Sequence, residues 1–175
     1  MNNIKRMMYV SGEDFYVMTY VTLFLLNDLI GKKAKSKKFK DHRKISLLIQ
    51  IISDSRLIDL INRYENREVN NNNDRDFLFD SFANAGRKKV EVEKLLKVLD
   101  SEGYINLIRT NTVEVYDISL GDNAIPDALL NSDAFLDIRE DVALVKSVIK
   151  RLNVLSYEKF IENVYKSRGI NAWAF

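Results

Sequence analysis

Cysteine is absent from the 175-residue chain, and with it go disulfides, thiolate metal sites and cysteine nucleophiles. That fits a reducing cytosol. One proline and six glycines among many Leu, Ile, Val, Lys, Asp and Asn are too few for a sandwich, a linker or a disordered chain, and point to a helix-rich protein. Histidine occurs once, as His42, with no carboxylate beside it except Asp41. Neither a glycine-rich phosphate loop nor a nucleophile elbow is present, and Glu91 and Glu93 fall on different sides of a helix. No catalytic, cofactor or metal site is therefore expected.

Long apolar runs are lacking too. The longest, "FYVMTYVTLFLL" from Phe15 to Leu26, is too short to span a bilayer and closes at Asn27 and Asp28. Glu13 and Asp14 interrupt any signal-peptide pattern that starts at Lys5 and Arg6. A cytoplasmic protein is the expectation.

What the chain does have is apolar content of 46%, enough for a real core at this length. Helical spacing predicts a first helix over about 13–30, stopped by Gly31, and a second over "KISLLIQIISD" buried on most sides. Asp54 or Ser55 caps a third, with Leu57, Leu60 and Ile61 inward. After the polar run Asn70 to Asp74, a fourth helix is expected to stop at Gly86 and a fifth to run from about 89 to 102 on Val92, Leu95, Leu96 and Leu99. Gly103 then ends it. Ile105 and Leu107 alternate outward, "RTNT" turns, and Val113 and Val115 alternate back as a hairpin. Pro126 can open a short helix, and two more follow on Ile138, Val142, Val145 and Ile149, then on Phe160, Ile161 and Val164. The fold class is mostly α with a small β-hairpin wing: a winged-helix core over 70–120, flanked by an N-terminal helical region over 1–69 and a C-terminal one over 121–175 in one compact domain.

Charge is unevenly placed. The net +2 divides into +6 for residues 1–45, −3 for 46–119 and −1 for 120–175. Lys32, Lys33, Lys35, Lys37, Lys38, Lys40, Arg43 and Lys44 lie within thirteen residues that hold one carboxylate, Asp41. Such a segment can neutralise several phosphates with little sequence preference, or it can simply be a solvated loop. The helix before the hairpin is a poorer DNA reader. Its outward face carries Val90, Lys94, Lys97, Ser101 and Glu102, and its start carries Glu91 and Glu93, which phosphates repel. Arg87, Lys88 and Lys89 could still touch backbone. Lys94 and Lys97, with Arg109 and Asn111 at the wing tip, are candidates for a partner contact. So are Ile170, Trp173 and Phe175 in the apolar tail "INAWAF", which either folds back or inserts into another chain.

In the order of its elements the chain resembles the middle component of bacterial three-component systems built around an ABC-type ATPase, including the accessory subunits of Lamassu-type antiphage defence. The resemblance rests on the N-terminal apolar helix with its lysine-rich stretch and "KISLLIQIISD", on "VEVEKLLKVLDSEGYINLI...VEVYDIS", and on "LNVLSYEKFIENVYKSRGI". It implies a non-catalytic adaptor that packs against a structural-maintenance-of-chromosomes-like ATPase and an effector protein, with non-specific DNA contact and no inherited catalytic residue. The rival from another class is a free-standing winged-helix transcription regulator binding DNA as a homodimer.

Overall fold

The computed structural model describes residues 14–31, 37–65 and 67–173. Helix α1, Asp14–Ile30, ends where Gly31 takes a left-handed φ of 73°. Helix α2, Lys44–Ser53, is the centre of the molecule, with Ile45, Leu47, Leu48, Ile49, Ile51 and Ile52 all buried. A helix apolar on every side must be surrounded. It packs on α1, on α3 (Ser55–Arg63), on α4 (Asn72–Ser101) and on α6 (Leu136–Val148). Asp54 caps α3 by accepting the Arg56 N–H.

The expected break at Gly86 does not occur. α4 is one 30-residue helix, and Gly86 lies in its interior. A helical glycine costs about 1 kcal/mol against alanine, and the buried side chains on both sides of it, Leu78, Phe82 and Ala85 before and Val92, Leu95, Leu96 and Leu99 after, outweigh that. The helix also starts earlier than Asp74, because the Asn71 side chain accepts the N–H groups of Asn73 and Asp74 at 2.8 and 3.3 Å.

Strands β1, Ile105–Arg109, and β2, Tyr116–Leu120, pair antiparallel with Leu107 opposite Ile118. The turn between them is wider than expected. Val113 is 86% exposed at its tip rather than in the return strand, because Thr110 Oγ1 bonds both the Thr112 N–H and the Val115 carbonyl and holds residues 110–115 as a loop. At the other end Gly121 is obligatory, since a Cβ there would sit 2.0 Å from the Gly103 carbonyl oxygen.

A third segment joins this hairpin. Phe39 bridges Ile118 in antiparallel fashion, each N–H donating to the other's carbonyl at 2.8 Å. The chain closes with a short helix α5 (Asp127–Leu130) behind Pro126, then α6, then α7 (Tyr157–Val164) capped by Ser156. One contiguous core takes residues from all three expected regions. Among the described residues no helix is long and apolar enough to cross a membrane.

Candidate functional site

The basic run divides at Phe39. Lys32, Lys33 and Lys35 lie outside the described residues, while Lys37, Lys38 and Lys40 are exposed. Phe39 is wholly buried, so the alternation of a strand turns its lysine neighbours to solvent.

Past Lys40 the same run becomes internal structure. Asp41 adopts a left-handed φ of 62°, and its carboxylate accepts from Arg43 Nε and Nη2 at 2.9 and 2.7 Å and from the Tyr157 N–H at 3.0 Å. Burial pushes this carboxyl up, but those bonds and the Arg43 charge hold it below its ordinary value. Arg43 also pairs with Glu158 at 2.9 Å and lies over the Tyr157 ring. Held by hydrogen bonds to Asp41, its guanidinium is raised further above its ordinary value. Arg43 is thus committed to carboxylates rather than left for phosphates.

Lys44 corrects the sequence expectation outright, because a fully buried side chain cannot reach a phosphate. Its Nζ donates to the Leu152 and Leu155 carbonyls at 2.7 and 2.6 Å and sits 4.2 Å from the centre of the Phe39 ring. Burial draws its pKa down to about 7, against the pull of Asp41 and Asp117. His42 is buried as well. Its ring Nδ1 accepts the Tyr116 N–H at 3.2 Å, while the His42 backbone N–H donates to the Tyr116 carbonyl at 2.8 Å. Burial lowers its pKa despite nearby Asp41 and Glu93, and the imidazole adds a side-chain acceptor to the contact with β2.

The second set of candidates falls on α4. Arg87 is exposed and donates to the Asn84 side chain, and Lys89 faces Glu93 at 4.0 Å one turn on. Lys88 is half-buried. All three lie along a continuous helix rather than in a loop preceding one. Lys94 and Lys97 are exposed on its outer face, and Arg109 and Asn111 are exposed at the hairpin. Lys97 also lines a groove of about 160 Å³ with His42, Glu93, Glu114 and Tyr116.

The tail folds back. Ile170 and Ala172 are buried in the core, which removes Ile170 from any partner surface. Trp173 stacks edge-on to Phe82 at 5.4 Å and meets Phe79 at 6.3 Å, yet stays 55% exposed. Phe175 lies outside the described residues.

The fold also assembles basic residues that no sequence pattern marked. Lys37 lines a cleft of about 470 Å³ with Lys146, Lys150 and Arg151, which come from the end of α6 and the turn after it. No sequence signal links them to Lys37, since more than a hundred residues intervene. Among the described residues no group of His, Asp and Glu is arranged to hold a metal ion. Compared with known proteins, the chain matches no family model, no curated sequence and no solved structure.

Proposed function

We propose that the chain is a non-catalytic accessory subunit of a bacterial ABC-type, structural-maintenance-of-chromosomes-like ATPase complex acting in cytoplasmic antiphage or anti-plasmid defence. It scaffolds the ATPase and an effector on a winged-helix core. The observation that carries this reading is the Phe39 bridge onto Ile118. It ties the lysine-rich stretch, which the resemblance places between the N-terminal helix and "KISLLIQIISD", to the hairpin through one antiparallel bridge. The glutamate-flanked outer face of α4 is a poor match for base edges, which favours a packing role over operator reading.

Partner contact is best supported where apolar surface is left uncovered. Trp173 and Phe79 form an exposed aromatic pair at the end of the chain, and Val90 and Val98 are exposed along α4. Aromatic anchors of this kind dominate interface energetics.

The reading is tested by co-expressing the tagged chain with the ATPase and effector of its own operon. Trp173→Asp should abolish co-purification of the ATPase while the isolated chain keeps the helical circular-dichroism spectrum of the wild type. Wild-type chain that recovers no ATPase, and instead binds one operator tightly as a dimer, would install the regulator in its place.

A further inference from the structure

We infer that the cleft between Lys37 and the α6–α7 turn is a binding site for the phosphate backbone of duplex DNA. The inference deepens the adaptor reading by giving its DNA contact a location. Four cations line the cleft, Lys37, Lys146, Lys150 and Arg151, against one carboxylate, Asp28. Asp28 is taken up by Lys146 at 2.9 Å. Among the described residues no carboxylate pairs with Lys37, Lys150 or Arg151, so three charges stand unspent around one opening.

The walls are fixed rather than loose. The turn 149–156 is fastened to the segment opposite by Lys44 Nζ at the start of α2, which donates to the Leu152 and Leu155 carbonyls, and by the Lys40 N–H, which donates to the Asn153 carbonyl at 2.7 Å. Arg151 itself holds a left-handed φ of 58°, kept there by the Val154 and Leu155 N–H groups that donate to its carbonyl at 3.0 and 3.3 Å. A non-glycine residue in that region persists only where its surroundings impose it, and such outliers gather at binding sites. The buried lysine therefore serves the exposed ones. It sets the spacing of the turn that presents Lys150 and Arg151 across from Lys37.

The chemistry of the lining selects the ligand. None of the described lining residues is aromatic, so nothing stacks a base, as a nucleotide or single-strand site would require. Unpaired lysine and arginine heads around an unstacked opening suit repeated phosphates on a rigid backbone, contacted without regard to sequence.

The test is a fluorescence-anisotropy titration of the isolated full-length chain with labelled 30-base-pair duplexes of two unrelated sequences, at several salt concentrations. Lys150→Gln with Arg151→Asn removes both charges while keeping a residue that tolerates the left-handed region. The slope of log affinity against log salt should fall by about 1.8 and affinity by roughly tenfold or more at low salt, equally for both sequences. Lys159→Gln with Lys166→Gln, on the α7 side, should change neither. The proposal is overturned if the cleft variant binds duplex like wild type. It is likewise overturned if a single strand of the same length binds more tightly than the duplex, or if vesicles with one-third phosphatidylserine bind and the duplex does not. Co-purification with the ATPase reads the adaptor function separately, so a failed cleft leaves that reading standing and a failed adaptor leaves the cleft result intact.

Discussion

Residues 37–40 and 41–44 belong to one basic run in sequence and to opposite worlds in the fold. Lys37, Lys38 and Lys40 face solvent, whereas Asp41, His42 and Lys44 are buried and Arg43 is bound to two carboxylates. The difference is set by Phe39 and by the left-handed bend at Asp41, which turn the chain from a sheet edge into the first turn of α2. Positive residues next to each other therefore do unrelated jobs. The outer ones are available to a partner, and the inner ones tie the strand to α7 and to the turn before it.

Removing the divider should have the largest effect. Phe39→Ala empties a fully buried position, takes away the ring face beneath Lys44 Nζ and loosens the bridge to Ile118. We expect a loss of roughly 3–5 kcal/mol in urea unfolding. A loss below about 1 kcal/mol would mean that the two halves of the run are not separated by this side chain.

Much of the fold was legible because burial imposes period. α1, α2 and α3, the glycine stops at Gly31 and Gly103 and the Asp54 and Ser156 caps follow from local rules and from the stripes they bracket. The missed features are those that local rules do not decide. Gly86 carries the signature of a helix stop, but the stripe on both sides of it is buried against α2, and tertiary packing outweighs a local cost of about 1 kcal/mol. Lys44 looks like its neighbours in sequence. Its fate depends on two carbonyls from residues 152 and 155 that only the fold brings near. The same holds for Lys150 and Arg151, whose neighbours in the chain are apolar and whose partner in the cleft is Lys37. A surface pattern reports composition, and a site is made by juxtaposition.

A pH series tests the inner half alone. Folded Lys44 gives up its proton near 7, whereas in the unfolded chain a lysine keeps it to about 10.4. Between those values the unfolded state binds the extra proton, so folding stability attributable to Lys44 rises with pH and is fully present only above the upper one. Lys44→Met lacks the titration and leaves the Leu152 and Leu155 carbonyls without this donor. The stability gap between wild type and variant should widen between pH 7.5 and 9.5 by about 1 kcal/mol per pH unit. A gap that stays constant over that range would place an ordinary lysine pKa in the core and remove the contrast with the exposed lysines.

The outer half should show the reverse profile. Lys38→Ala with Lys40→Ala removes two exposed side chains, and the Lys40 backbone bond to Asn153 does not involve the side chain that is lost. Unfolding free energy should stay within about 0.5 kcal/mol of wild type. If these lysines extend the phosphate contact of the neighbouring cleft, the salt slope of duplex binding should still fall by about 0.9 for each one that meets a phosphate. Stability and binding would then separate along a few consecutive residues: Phe39 and Lys44 govern whether the strand is held, and Lys38 and Lys40 govern what it meets. A double variant that unfolded readily would show instead that the solvent-facing lysines also support the fold, and the division at Phe39 would not hold.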